Sequence, residues 1–181
     1  HPVLSIENDI KPPLKDRLQR RAKETGMLVC GANGMGFYNF ADRVTVGGFA
    51  TRSNHIAGNV ALISHSGSGM AGIIDCDERI NFNLTVSAGQ ELSVGMHDYL
   101  DFALEMPTTQ VVGLFMETVR KPDLMIQAFA KAASKQIPIV VIKTGKTKRS
   151  AELTVSHSGA LAGSDDCHQA LFRKYGIQRV N

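Results

Sequence analysis

The sequence predicts an α/β fold built on a doubly wound parallel sheet, and two observations carry that expectation. Beyond Gly58, short apolar runs alternate with segments of helical period at the spacing of βα units. Runs such as Val60-Ala61-Leu62-Ile63 and Ile139-Val140-Val141-Ile142 are apolar on successive residues, as strands buried on both faces must be.

Taken in order, the chain first offers a helix: Pro12 and Pro13 precede it, Leu14, Leu18 and Ala22 share one face, and Gly26 stops it. Residues 27–30 read as a short strand. From Gly31 to Gly58 the pattern is irregular, rich in Gly and Asn with interspersed Phe and Tyr, and reads as loop with room for a hairpin. Strands are then expected over 59–64, 82–88, 109–116, 137–143 and 177–180, separated by helices over 70–79, 92–105, 122–135 and 164–175. This alternation is that of a flavodoxin-like sheet.

The bulk properties narrow the function classes. A chain of 181 residues, 43% hydrophobic and 20% charged, suits one well-buried core. The formal charge of +3 is mild and the Lys and Arg residues form no stripe, so nucleic acid is not an expected partner. Cys30, Cys76 and Cys167 are odd in number and in no CxxC spacing, as befits reduced thiols. No apolar run reaches the roughly 20 residues of a membrane span, and no signal peptide is visible. A soluble, cytoplasmic protein is expected. Asn83-Leu84-Thr85 satisfies the glycosylation pattern but falls inside an expected strand.

In open α/β sheets ligands bind beyond the carboxyl ends of the strands, and there the unusual residues gather. Ser64-His65-Ser66-Gly67-Ser68-Gly69 follows one strand, Ala88-Gly89 the next, Glu117-Thr118 the third and Thr144-Gly145-Lys146 the fourth. A long polar segment then contains Ser156-His157-Ser158-Gly159-Ala160-Leu161-Ala162-Gly163. Loops of that length are usually functional.

Ser66, Gly67 and Ser68 stand where a strand turns into a helix, so backbone N–H groups and the helix dipole make an anion cradle. A plain N-cap with packing glycines accounts for the same residues. Two familiar motifs fail. The nucleophile elbow needs glycine two residues either side of its serine, whereas Ser66 is flanked by Ser64 and Ser68. Gly145-Lys146-Thr147 resembles the end of a P-loop, yet Val140 stands where that motif requires glycine.

His157 differs from the other histidines, since small neighbours let a second group approach its ring. His1, His55, His97 and His168 read as surface residues. A neutral imidazole accepts a phosphoryl group well when one nitrogen is free and the other donates to a fixed acceptor. Glu117 is the candidate acceptor; a solvated carboxylate at a strand end is the alternative.

These residues resemble those of nucleoside-diphosphate-forming acyl-CoA synthetases, the ADP-forming acetyl-CoA synthetases among them. Residues 156–165, Ser-His-Ser-Gly-Ala-Leu-Ala-Gly-Ser-Asp, resemble the phosphohistidine loop of that family. Residues 62–67 are similar to its phosphate-binding helix start, shared with the succinyl-CoA synthetase α-subunit. Phe115-Met116-Glu117 is similar to the strand whose glutamate orients the histidine, and residues 138–145 to the strand leading into the loop. Gly31-Ala32-Asn33-Gly34-Met35-Gly36 resembles the turn near the thioester end of CoA, with Ala32 and Gly34 replacing its proline and cysteine. The family's Gly-Asn-x-x-Asp is missing, Ala88-Gly89-Gln90-Glu91 standing there.

The resemblance implies an acid–CoA ligase module in which His157 carries phosphate from ATP to a carboxylic acid, giving an acyl phosphate and then acyl-CoA. Glu117 orients the histidine, Ser66, Gly67, Ser68, Ser158, Gly159 and Ala160 hold phosphate, and Asn33 and Gly34 lie near CoA and the acyl group. ATP, CoA and magnesium are the implied cofactors, the nucleotide and metal bound mainly outside the chain. Residues 1–25 are expected to be the tail of a CoA-binding Rossmann domain and 26–181 a succinyl-CoA synthetase-like domain. An ATP-grasp domain is the other implied partner, the assembly being a homo-oligomer and the fragment alone inactive. Protein lysine acetyltransferases carry a similar region that senses acyl-CoA without ligation but has lost the histidine; His157 argues against that reading. A flavodoxin-type interaction module is the third reading, which the phosphate-site features disfavour.

Overall fold

A computed structural model of the chain describes residues 11–76, 79–145 and 164–180. Helix α1 (Leu14–Thr25) begins behind Pro13 and ends at Gly26, whose φ of 66° is the left-handed turn that a Cβ would strain. Residues 27–30 form no strand, which corrects the expectation. Val29 N–H donates to the Ser93 hydroxyl (2.7 Å), not to a neighbouring strand, and Leu28 is 83% exposed.

The irregular stretch contains a hairpin, β1 (Gly36–Asn39) and β2 (Val44–Gly47), and the hairpin joins the main sheet. Strand β1 pairs antiparallel with β4 (Phe82–Ser87). Strands β3 (Val60–Ser64), β5 (Val111–Met116), β6 (Ile139–Lys143) and β7 (Gln178–Val180) complete a sheet in the order β2-β1-β4-β3-β5-β6-β7. From β4 to β7 every pairing is parallel. The doubly wound expectation therefore holds for five strands, and a two-stranded antiparallel extension is added.

Helices α3 (Met96–Glu105), α4 (Pro122–Ser134) and α5 (Asp165–Lys174) share one core with the sheet, built from Ile63, Val86, Leu100, Leu114, Phe129, Val141 and Phe172 among others. Helix α2 (Gly67–Ile74) lies on the other face, where Met70 and Ile74 meet Tyr38, Leu62 and Phe82. Phe82 reaches that second core because the β3–β4 register shifts between Val60 and Ala61, so Phe82 and Leu84 face opposite ways despite their spacing. Burial on both faces is found in β3 and β4. In β5 and β6 it alternates, with Val111, Phe115, Val140 and Ile142 half-buried, because α2 packs over β3 and β4.

Local chemistry explains the helix starts. Helix α2 begins earlier than expected because Ser66 caps it ahead of two glycines. Helix α3 begins later, at Met96, since Asp98 accepts from Gly95 N–H (2.8 Å) and closes the turn there. Pro122 opens α4 where its missing N–H costs nothing. Asp165 and Asp166 at the start of α5, with Arg173 and Lys174 at its end, match the helix dipole. Among the described residues no helix is long and apolar enough to cross a membrane. Asn83 is fully buried, donating to Thr108 and Thr109, and offers no glycan site.

Candidate active site

The carboxyl edge of the parallel strands is assembled residue by residue from the ladder itself. His65 N–H donates to Phe115 O (3.0 Å), Ala88 N–H to Ser64 O (2.7 Å) and Thr144 N–H to Met116 O (3.0 Å), so β3, β4, β5 and β6 stay bonded one residue past their ends. The loops that leave them start from one rigid line.

After β3 the chain turns at once. Ser64 Oγ donates to Ser66 O (2.7 Å) and accepts from Ser66 N–H (3.1 Å), and Ser66 Oγ accepts from Gly69 N–H (3.1 Å). Ser68 Oγ lies 3.2 Å from Ser66 Oγ. Both readings of this turn therefore meet in one place: Ser66 is an N-cap, and at any helix start the N–H groups of Gly67 and Ser68 have no intrahelical acceptor.

Behind the turn lies a buried cluster of charge. His65 is 3% exposed, and its Nδ1 accepts from Glu117 N–H (3.0 Å). That bond leaves the ring proton to Nε2, which stands 3.4 Å from Glu91 Oε1, at ion-pair distance but off hydrogen-bond alignment. Glu91 Oε2 lies 3.0 Å from Arg120 Nε, and Glu91 Oε1 accepts from Met96 N–H. Burial pushes the Glu91 carboxyl upward, but His65, Met96 N–H and Arg120 outweigh it and hold the group below its ordinary value. It is a buried carboxylate with Arg120 as its countercharge and Met96 N–H as a hydrogen-bond donor.

Glu117 stands immediately past β5 and is 7% exposed, so it is not a solvated strand-end carboxylate. Its carbonyl accepts from Lys143 Nζ (3.0 Å), which also donates to Thr144 O (2.5 Å). Burial is the main cause that lowers the Lys143 pKa, with Arg179 adding to it against Asp165 and Glu117.

His157, Ser158, Gly159 and Ala160 lie outside the described residues. The two ends of their segment are described. Arg179 donates to both carboxylate oxygens of Asp165 (2.7 and 3.1 Å) and to Lys143 O (3.5 Å), which brings the start of α5 beside the end of β6. Gly145 and Ser164 thus leave and return at the edge that carries Glu117.

Asn33 and Gly34 are packed onto the same edge. Gln90 N–H donates to Ala32 O and Leu92 N–H to Gly31 O, both 2.7 Å. A Cβ at Gly34 would stand 2.6 Å from Ser87 O, so no side chain fits where the resembling family has cysteine. Asn33 adopts φ 52°. Beside this loop a groove of about 660 Å³ is lined by Leu28, Cys30, Phe37, Val86, Tyr99 and Phe102.

Sequence reasoning missed His65, Glu91, Arg120 and Lys143. His65 sat inside a motif read for its serines, and His65 and Lys143 meet Glu117 from 52 and 26 residues away. Of the histidines expected at the surface, His55, His97 and His168 have buried rings. His168 Nδ1 contacts Ser164 O (2.7 Å), and burial lowers its pKa.

Comparison with known proteins bears on the same region. The family described as the succinyl-CoA ligase like flavodoxin domain matches residues 57–181. An ADP-forming acetate–CoA ligase of Methanocaldococcus jannaschii is 29% identical over 92% of this chain and 23% of its own length. A trans-feruloyl-CoA synthase from an unknown prokaryotic organism is 29% identical over 83% of this chain and 22% of its own. Among solved structures, acetyl-coenzyme A synthetase 1 of Ca. Korarchaeum cryptofilum, in complex with phosphate and ADP, is similar with a TM-score of 0.82 and 30% identity. That match covers 93% of this chain and 36% of the other. The chain spans between about a fifth and about a third of the length of these relatives.

Proposed function

The chain belongs to the succinyl-CoA ligase-like flavodoxin domain family, and on that footing we propose that it is the phosphate-relaying module of a nucleoside-diphosphate-forming acid–CoA ligase. His157 attacks the γ-phosphorus of ATP through one ring nitrogen, and the bond to the ADP oxygen breaks. A carboxylate oxygen then takes the phosphoryl group from the ring, forming an acyl phosphate. The CoA thiolate displaces phosphate from that carbonyl to give acyl-CoA.

The observation that carries this reading is the convergence of Glu117, the α2 start and both ends of the 146–163 segment on one sheet edge. Glu117 accepts a hydrogen bond from the second ring nitrogen and so leaves the first as nucleophile. The first-turn N–H groups of Gly67 and Ser68 suit phosphoryl oxygens, as a helix start at a strand end does generally. Ser158, Gly159 and Ala160 supply further backbone N–H groups in the same role. Asn33 and Gly34, on the neighbouring turn, face the CoA thiol and acyl group.

In this proposal ATP, with magnesium, binds mainly to an ATP-grasp domain, and CoA to a Rossmann domain of which residues 1–25 are the tail. Residues 26–181 form the relay domain, and the ligase works as a homo-oligomer in the cytoplasm. The acids named for the relatives differ, acetate and ferulate among them, so the acid is left as a class. The test uses the full-length ligase and labelled ATP. His157→Ala abolishes acid-labile phosphorylation, and Glu117→Gln slows it by roughly 10²–10⁴-fold. Undiminished labelling of His157→Ala would refute the assignment.

A further inference from the structure

Where the β5 ladder ends, two side chains continue it. Phe115 and Met116 carbonyls are still bonded to the backbone of the flanking segments, through His65 N–H and Thr144 N–H. One residue further on the neighbours diverge, since β3 has turned into α2 and β6 has reached its end. There Glu117 N–H donates to His65 Nδ1 (3.0 Å), and Lys143 Nζ donates to Glu117 O (3.0 Å). The peptide groups on both sides of the Glu117 Cα are thereby held. With both planes held, the direction of the Cα–Cβ bond is set.

From this geometry we infer that His65 is a positioning residue for Glu117, kept in the one orientation and tautomer that can accept the Glu117 N–H by the buried pair Glu91 and Arg120. The inference rests on the reading of Glu117 as the carboxylate that orients His157. Three observations carry it. The His65 side chain is 2% exposed and its Nδ1 is already an acceptor, so the ring is not itself a phosphoryl carrier. Only an unprotonated Nδ1 can accept that bond, and Glu91 Oε1 at 3.4 Å from Nε2 favours the proton on the far nitrogen. Glu91 is in turn fixed by Arg120 Nε at 3.0 Å and by Met96 N–H, and holds a φ of 53° that side chains rarely adopt. A strained backbone and a Glu91–Arg120 ion pair beside a buried neutral imidazole form an arrangement for orientation.

The experiment measures phosphorylation of His157 from labelled ATP in the full-length ligase. A misplacement of about 1 Å costs about 10²-fold, so His65→Ala should lower the rate by that order while leaving the KM for ATP unchanged. His65→Asn, whose Oδ1 stands where Nδ1 stood, should recover most of the rate. Equal losses in His65→Ala and His65→Asn, or a wild-type rate in His65→Ala, overturn the inference. If His157→Ala is silent while His65→Ala is unaffected, the relay reading stands and this inference alone falls. If His157→Ala is still labelled, the relay reading itself fails. Should the variants not fold, ¹⁵N spectra of the unaltered protein decide: an unprotonated Nδ1 with coupling to the Glu117 amide supports the clamp, and a protonated Nδ1 overturns it.

Discussion

Removal of the Glu91 carboxylate tests the buried charge cluster directly. Its side chain is 5% exposed and faces His65 at 3.4 Å and Arg120 at 3.0 Å, so Glu91→Ala removes the buried negative charge that is paired with the Arg120 guanidinium and set against the His65 ring. Breaking a buried pair from one side costs about 3–5 kcal/mol. The Arg120 side chain keeps 21% exposure and can take up some water once released, which sets the expectation at the lower end, about 3 kcal/mol. For a chain of this size that corresponds to a Tm lower by about 6–12 °C. Glu91→Gln keeps an acceptor for Met96 N–H and loses only the charge, for about 1.5–3 kcal/mol. Adding Arg120→Met to Glu91→Ala removes the matching positive charge as well and should return about 1–3 kcal/mol of coupling. The assay is urea unfolding, followed by circular dichroism, of wild type, Glu91→Ala, Glu91→Gln, Arg120→Met and the double variant. A loss below about 1 kcal/mol in Glu91→Ala, or strict additivity in the double variant, refutes the reasoning.

The same carboxylate has a pH signature. Its folded pKa lies below the ordinary 4.5, so its stabilisation is complete above that value and is lost as pH falls through the lowered one; thermal melts of wild type and Glu91→Gln should converge on acidification and differ most near neutrality. Ser66→Ala should cost about 1 kcal/mol by loss of the cap. Ser66→Asp keeps the cap but repels an anion, so it should melt like wild type while losing affinity for inorganic phosphate in titration calorimetry; unchanged affinity would remove the cradle. Gly36→Ala should destabilise by about 2–3 kcal/mol, since φ is 85° and the Cβ would stand 1.9 Å from Val46 O. Gly72→Ala, in open space within α2, should be stabilising by about 0.5–1 kcal/mol, and denaturant melts of the two check the sign.

The parallel core was legible because its signal is local. Apolar runs, a proline before α4, a serine before α2 and glycine stops report on neighbours within a turn or a strand, and these fell within a few residues of the observed elements. Residues 36–47 were not legible in the same way. Strand β2 alternates Val44 and Val46 with Thr45 and Gly47 but is exposed throughout, and β1 joins the main sheet through pairing with β4, 45 residues or more away. The strand expected over 27–30 had the right residues but no partner strand. Composition offers no way to read a missing partner.

For the candidate site the division is similar. By itself the sequence determined which residues stand at strand ends, Ser66 and Glu117 among them, because strand direction and βα order put every loop after a strand on one edge. It also determined that a helix starts just past β3 with Ser66 as its cap, which depends on residues within one turn and on nothing distant. Only the tertiary structure decided that Glu117 is buried, that its two peptide groups are held by His65 and Lys143, and that Glu91 turns inward to Arg120. The physical reason is range. A cap or a period is set by residues three or four apart, whereas a buried ion pair exists only after folding has removed the water that would otherwise screen it.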